Sequence, residues 1–122
     1  MHVSMKEADI LTACLDYLRL KGVLAWRSNN TGVFDPARKC FRSFRGLKGV
    51  ADILGILTRQ MAREGETVLH GVLLAVECKG ARGSLSPDQK WFLEEVARRG
   101  GIALCVRSVR EFDDQLSPLL AS

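Results

Sequence analysis

The sequence predicts one α/β domain, spanning residues 1–122, in which helices flank a mixed central sheet. Three observations predict this fold. Two apolar stretches, 51–57 and 72–79, are typical of neighbouring strands, and the five apolar residues from 72 to 76 indicate burial on both faces. A helix signal separates the second stretch from another apolar run at 102–106, and such a crossover makes its two strands parallel. Helix signals near both ends of the chain supply the flanking layers.

The N-terminal part is predicted to form a helix and a short strand. Residues 4–7, Ser-Met-Lys-Glu, have the form of a capping box, in which the serine caps the helix and the glutamate bonds back to it. The apolar periodicity continues to about Lys21, and Gly22 ends the helix. The stretch 23–27 is predicted to be a strand, followed by a polar turn cluster at 28–32.

The polar stretch 58–70 is longer than a tight hairpin turn requires. We therefore expect a mobile insertion between the two central strands. His70 is expected to be an exposed loop residue rather than a metal ligand.

The C-terminal part is predicted to be helix, strand and helix. Residues 86–89, Ser-Pro-Asp-Gln, open the crossover helix with a second capping box and a proline at the first helical position. The strand at 102–106 follows, and residues 108–111, Ser-Val-Arg-Glu, are a further capping box that begins a last helix. The sheet should therefore be an antiparallel meander extended by one parallel crossover strand.

Two acids and a lysine lie where the central strands are predicted to meet. Glu77 and Lys79 end the second strand and share one face, because strand side chains alternate, while Cys78 points to the other face and is expected in the core. Asp52 lies near the start of the first strand. Pairing Asp52 with Glu77 in antiparallel register also matches the apolar residues: Leu54 with Ala75, and Ile56 with Leu73. Paired carboxylates suit a divalent cation, and the lysine suits activation of water.

An isolated acid-x-lysine pattern is more often a strand-end ion pair than a catalytic site. The chain repeats the spacing at Asp88-Gln89-Lys90, but there it coincides with a helix start, where residues two apart diverge around the axis. The match at Glu77 gains its weight from Asp52, since one register satisfies charge and packing together.

A run of cations precedes Asp52 without an intervening acid: Arg38, Lys39, Arg42, Arg45 and Lys48. Phe41 and Phe44 interleave with them. The run is either a phosphate-contacting loop or short strand, which we favour because it leads directly to Asp52, or a solvated basic face over two core aromatics. Arg82 adds a cation in the glycine-rich stretch 80–84.

The composition describes a soluble globular protein, with 47% hydrophobic and 26% charged residues. No apolar run is long enough for a membrane helix and the N-terminus shows no signal-peptide pattern, so we expect a cytoplasmic protein without membrane contact. The net charge of +4 favours a polyanionic partner. The four cysteines are widely spaced without a C-x-x-C pair, which argues against zinc or a disulfide framework and for a reducing compartment.

The order of these motifs resembles the PD-(D/E)xK nuclease superfamily. Gly-x-x-Asp at 49–52, Glu-x-Lys at 77–79 and Ser-Pro-Asp-Gln-Lys-Trp-Phe opening a helix are similar, more narrowly, to the VRR-NUC (virus-type replication-repair nuclease) branch in its small stand-alone, phage-like form. The resemblance covers the chain from Glu7 to Val106. Ala51 stands where the family pattern has a proline, and the insertion at 58–70 is longer than usual.

This resemblance implies a restriction-endonuclease-like core and a set of site residues. Asp52 and Glu77 would ligate Mg²⁺ or Mn²⁺ together with the backbone carbonyl of Cys78. Lys79 would orient the attacking water or help to deprotonate it. Gln89 would line the site, and Glu7 would complete it through the water shell of the metal. Glu7 and Gln89 each have an alternative role, because each is third after a capping serine and would bond its own helix terminus.

The leading function that the resemblance implies is a metal-dependent DNA endonuclease, with a preference for branched DNA such as four-way junctions. Stand-alone members resemble junction resolvases, so a homodimer is implied by analogy, and a phage-encoded member would act in the host cytosol. A restriction-type or nicking nuclease of the same fold is the alternative within this class. A non-catalytic nucleic-acid-binding protein with a structural acid pair is the alternative from another class.

Overall fold

The structure is a computed structural model that describes residues 6–28, 33–42 and 46–120, with backbone alone at 33–35 and 40–42. Its helices and strands are α1 (Glu7–Leu20), β1 (Leu24–Arg27), β2 (Val33–Asp35), β3 (Cys40–Arg42), β4 (Ile53–Arg63), β5 (Glu66–Cys78), α2 (Pro87–Arg98), β6 (Ile102–Val106) and α3 (Val109–Leu120). In the part of the chain that the structure describes, no helix is long and apolar enough to cross a bilayer.

Four strands form the central sheet in the order β1-β4-β5-β6, and β2 and β3 form a separate two-stranded sheet. The β1–β4 and β4–β5 pairs are antiparallel, whereas β5 and β6, which α2 connects, are parallel. The predicted α/β class and mixed sheet are confirmed. The predicted register is also confirmed, since Leu54 lies opposite Ala75 and Ile56 opposite Leu73.

Helices cover both faces of the sheet. One face packs against α1 and α3 in the larger core cluster, whose most buried members include Ile10, Leu18, Ile53, Leu74, Val76, Val106, Phe112 and Leu116. The other face, which we call the α2 face, carries Ala75 and packs against Phe92, Leu93 and Val96 of α2. The helix α2 covers only part of it, because Leu73 on the same face is 41% exposed. The prediction that residues 72–76 are buried on both faces is therefore wrong at Leu73.

The expectation of a mobile insertion at 58–70 is wrong. Strands β4 and β5 continue through this stretch and pair residue by residue from Thr58 with Gly71 to Arg63 with Glu66. Beyond the ends of β1 and β6 the two strands form a two-stranded ribbon that closes in a tight turn at Glu64 and Gly65, both with positive φ. His70 is exposed, as expected, but lies in a strand.

The predicted capping box of the first helix is not observed. Lys6 is the N-cap residue, no side chain caps this end, and Glu7 is the first helical residue. Ser4 lies outside the described residues. The consequence is that the Glu7 side chain is available for contacts beyond its own helix. The predicted cap of α3 is observed in part, since Ser108 Oγ accepts the backbone N–H of Glu111 at 3.0 Å.

Candidate active site

The carboxylate of Asp52 is held beside the end of β5. The backbone N–H of Ser28 donates to the Asp52 carbonyl at 2.8 Å, which extends the β1–β4 ladder to this residue. The backbone N–H of Cys78 donates to Asp52 Oδ2 at 2.9 Å. Backbone and side chain of Asp52 are therefore both fixed by neighbouring strands.

Glu77 is a buried acid, with only 2% of its surface exposed. Its Oε1 accepts a hydrogen bond from Gln89 Nε2 at 3.3 Å, whereas its Oε2 is buried and has no partner among the described residues. Burial raises the pKa of Glu77 to about 8, and the neighbouring Asp52 carboxylate raises it in the same direction. A buried carboxyl oxygen without a partner is costly, so Glu77 must hold a proton or a cation.

Lys79 lies on the same face as Glu77, as the strand alternation predicts. Its Nζ is 4.0 Å from Glu77 Oε1, and the residue is 9% exposed. Its backbone N–H donates to the Val106 carbonyl at 3.0 Å and extends the β5–β6 ladder. The ammonium lowers the pKa of Glu77, but burial and Asp52 together outweigh it. The ion pair therefore offsets only part of the cost of burying this carboxylate, in contrast to a simple structural pair.

Gln89 has both of the roles that the sequence posed as alternatives. Its Oε1 accepts the backbone N–H of Ser86 at 2.9 Å, and Ser86 Oγ accepts the backbone N–H of Gln89 at 3.2 Å, so the capping box is complete. Its Nε2 donates to Glu77 Oε1. Because an amide has an acceptor end and a donor end, one side chain caps α2 and orients the buried acid.

Changing Gln89 to Glu should separate these two roles. A glutamate still accepts the Ser86 N–H and suits a helix N-terminus, so the cap should persist and the melting temperature at pH 6–7 should change little. The donor to Glu77 is lost and a third acid enters the site, so we expect cleavage to fall at least ~10-fold. The same change at Gln115, which bonds Glu111 on the exposed side of α3, is the matched control. Full activity in a folded Gln89→Glu protein would remove Gln89 from the site.

Glu7 reaches the site from the opposite side, across the loop that follows β5. Its Oε1 accepts the backbone N–H of Gly80 at 3.4 Å. A Cβ at Gly83 would lie 3.0 Å from Glu7 Oε1 and 3.3 Å from the Lys79 side chain, so Glu7 and Lys79 border the same glycine. The charge of Glu7 also contributes to the raised pKa of Glu77. The structure thus brings Glu7, Asp52, Glu77, Lys79 and Gln89 together.

The donor set can accept a divalent cation. Asp52 and Glu77 supply paired carboxylates, and Glu77 Oε2 has no other partner. Within the described ranges, no group of three or more His, Cys, Asp and Glu side chains could hold a metal ion by itself. A bound cation would therefore need backbone or water oxygens in addition to this pair, and the carbonyl of Cys78 is adjacent to Glu77. The Cys78 side chain, as expected, is in the core, 1% exposed.

The cations proposed to contact DNA lie outside the central sheet. Arg38 and Lys39 are exposed in the turn that joins β2 and β3, Lys48 is exposed before β4, and Arg82 is exposed after β5. The side chain of Arg42, and all of Arg45 and Phe44, lie outside the described residues. No contact in the structure connects this run to the acid pair, so its role stays a prediction.

Three residues that the sequence analysis did not single out hold the site in place. Gly49 has φ of +81°, and a Cβ there would lie 2.2 Å from the Asp88 carbonyl, so only glycine allows this approach of the β4 entry to α2. Gly83 leaves room for Glu7. Arg107 Nη1 donates to the Gly80 carbonyl, which holds the loop after Lys79. Spacing alone could not identify them, because each acts through the backbone of a distant segment.

The comparisons with known proteins agree with the motif analysis. A family model described as the VRR-NUC domain matches residues 5–110 of the 122 in the chain. The matched span includes all the residues that the structure brings together here. No curated protein and no solved structure matches this chain.

Proposed function

Because the chain belongs to the VRR-NUC family and is a nuclease of the PD-(D/E)xK type, we propose that it is a divalent-metal-dependent DNA endonuclease whose catalytic residues are Asp52, Glu77 and Lys79. Gln89 and Glu7 support this set, Gln89 by orienting Glu77 and Glu7 from across the loop after β5. The proposed metal is Mg²⁺ or Mn²⁺, held by Asp52, Glu77 and the Cys78 carbonyl. When bound, such a cation neutralises phosphate charge and acidifies a water molecule.

One observation carries the proposal: Glu77 is an almost fully buried carboxylate whose Oε2 has no partner beside a second carboxylate. A structural ion pair would be expected to satisfy both oxygens, since a half-satisfied buried charge destabilises the fold. A cation site explains both the missing partner and the second acid. This favours a nuclease over a non-catalytic DNA-binding protein with a structural acid pair.

The side chains divide the reaction among them. Phosphodiester hydrolysis requires a water oxygen to attack phosphorus while the bond to the leaving oxygen breaks, and the water must lose a proton. Lys79 Nζ, 4.0 Å from Glu77 Oε1, is placed to orient that water and assist its deprotonation. The Cys78 N–H fixes Asp52 through Oδ2, and Gln89 Nε2 fixes Glu77 through Oε1. The acids are thus oriented before substrate arrives, which is how positioning lowers a barrier.

We propose branched DNA, such as a four-way junction, as the preferred substrate and a homodimer as the active form. Cutting two strands of one junction requires two active sites, and a two-fold dimer supplies them. The exposed cations Arg38, Lys39, Lys48 and Arg82, with Arg42 and Arg45, would contact phosphates.

Cleavage assays test this function directly. Supercoiled plasmid and a synthetic four-way junction should both be tested with Mg²⁺, with Mn²⁺ and with EDTA. We expect cleavage with either metal, none with EDTA, and faster cleavage of the junction than of its linear arms. Cleavage that persists in EDTA would contradict the metal dependence. DNA binding without cleavage under any of these conditions would favour the non-catalytic alternative.

Binding measured against salt tests the basic run. If Lys39 and Lys48 contact phosphates, changing both to Gln should lower the slope of log affinity against log salt by roughly 0.9 for each contact on duplex DNA. The affinity for all DNA sequences should fall together, because phosphate contacts carry no sequence information. Lys90, exposed on α2, is the control position for the same substitution. An unchanged slope in the double variant would show that another surface binds DNA.

A further inference from the structure

The helix α2 leaves a row of large apolar side chains uncovered on its face of the sheet. Leu24 lies opposite Ile56, and Ile56 lies opposite Leu73, so the three form one continuous row across β1, β4 and β5. They share the α2 face because each is two residues from the next row, which contains Ala75. All three are exposed.

This row continues into a groove beside α2. A cavity of about 620 Å³ lies there, with Leu47, Leu73 and Trp91 among its lining residues and Gly71 and Gly101 along it. Leu69, on the ribbon of β4 and β5, extends the same face away from the helix. We call the whole surface the apolar patch: Leu24, Leu47, Ile56, Leu69, Leu73 and Trp91.

The apolar patch is large enough for a stable protein interface. Its side chains are between 39% and 65% exposed. At roughly 200 Å² for a fully exposed large side chain, they offer on the order of 600 Å² of apolar surface. A standard interface buries about 800 Å² on each partner, of which somewhat over half is apolar. The patch can therefore supply the apolar part of such an interface, and it reaches the upper limit expected for a monomer.

The charges around the patch favour a second copy of this chain over DNA. The positions on the α2 face at 24 and 26, at 54–60 and at 69–75 carry no charged side chain, so this surface offers no cation to a phosphate backbone. The groove is bordered on α2 by both signs of charge, Glu95 with Arg98 and Arg99. A two-fold axis would bring opposite charges of the two copies together, as a self-complementary interface requires.

We propose that the apolar patch is the interface through which two copies of this chain form a two-fold symmetric dimer. The proposal rests on the proposed function only in that the dimer is the form expected to cut two strands. It also explains how the ribbon is supported, because a two-stranded ribbon with both faces in water is only marginally stable and Leu69 would be covered by the partner.

The partner would lie beside the acid pair rather than over it. The row of Leu54 and Ala75 separates the apolar patch from Asp52 and Glu77 on the same strands. Two residues along a strand correspond to roughly 7 Å, so the interface would border the site and leave it open to DNA. Dimerisation would thus fix the relative position of the two sites.

Sedimentation equilibrium of the full chain, without DNA or metal, tests the interface. We expect the wild type at 5–100 µM to have twice the 13.5 kDa chain mass, that is 27 kDa. Leu24→Glu and Trp91→Glu should each shift it to 13.5 kDa, because a buried unpaired carboxylate opposes association. Leu20→Glu, on the opposite side in α1 where Leu20 is 86% exposed, should leave the dimer intact. Circular dichroism shows that each variant is folded.

Each outcome decides the proposal. A monomeric wild type across this range overturns it, as does a dimer that survives in both folded patch variants or that dissociates in Leu20→Glu. Monomers in both patch variants, with a dimeric control, support it. Because the mass is measured without DNA or metal, a protein that dimerises but does not cut would overturn the proposed function and leave the interface standing.

Discussion

Replacing Glu77 by glutamine is expected to reduce cleavage by at least ~1,000-fold, the scale seen when one member of an interdependent catalytic set is removed. Glutamine has nearly the same shape, and its amide oxygen can still accept the hydrogen bond from Gln89 Nε2. The negative charge that a divalent cation requires is lost. We therefore also expect the rise in melting temperature that Mg²⁺ or Mn²⁺ gives the wild type to disappear in this variant.

The same substitution should stabilise the metal-free fold, and the gain should depend on pH. The folded-state pKa of Glu77 is raised from 4.5 to about 8. Between these values the folded chain retains a proton that the unfolded chain has lost, so wild-type stability falls as pH rises from about 4.5 and the full penalty is present above pH 8. Glutamine does not titrate. The variant should therefore exceed the wild type by on the order of 2–4 kcal/mol at pH 8 and by much less at pH 5.

Chemical denaturation in EDTA at pH 5, 6, 7 and 8 measures this difference, with Glu94→Gln as the control. Glu94 is exposed on α2, and its replacement should change neither cleavage nor the dependence of stability on pH. A Glu77→Gln protein that cuts DNA at the wild-type rate would contradict the proposed site. A variant that is less stable than the wild type at pH 8 would contradict the burial cost on which the metal assignment rests.

The central pairing could be predicted from sequence because a shift of one residue would bury the wrong side chains. Asp52 and Glu77 are the acids within two apolar stretches, and one register places them together with their apolar neighbours in contact. The parallel strand β6 was predictable for a similar reason, since a helix signal between two apolar strands allows few topologies.

The ribbon could not be predicted because its turn lacks the usual sequence signal. A two-residue hairpin of this kind requires positive φ at both central positions, which Asn-Gly or Asp-Gly normally supplies. Here the positions are Glu64, with φ of +54°, and Gly65, with φ of +81°. Glutamate rarely adopts this conformation, so the polar stretch around it is typical of a loop.

The roles of Glu7 and Gln89 depended on contacts that local spacing cannot show. The capping pattern at residues 4–7 is complete in sequence, yet the helix begins at Glu7 and its carboxylate contacts Gly80 instead. At Gln89 the capping pattern is real, but the second end of the amide reaches Glu77 from the next element. A capping pattern therefore predicts a helix start better than it excludes a site role.

Replacing Lys79 by alanine is expected to remove cleavage and to leave divalent-ion binding in place. The ammonium of Lys79 holds no metal and lies 4.0 Å from Glu77 Oε1, so its removal leaves both carboxylates and their hydrogen bonds from Cys78 and Gln89 intact. Proton transfer by a positioned side chain typically contributes 10²–10⁴-fold, so we expect a loss of at least ~100-fold in the rate of cleavage. This separation of binding from chemistry distinguishes Lys79 from the two acids.

Isothermal titration of Mn²⁺ into DNA-free protein, beside single-turnover cleavage of the same preparation, measures the two effects. Asp52→Ala should lose both metal binding and cleavage, whereas Lys79→Ala should lose cleavage alone, and Lys90→Ala should lose neither. The losses of Asp52→Ala and Lys79→Ala should not add in the double variant, because residues that act as one unit fail together. Wild-type turnover in Lys79→Ala would show that another group activates the water, and loss of Mn²⁺ binding would show that Lys79 is required to shape the metal site itself.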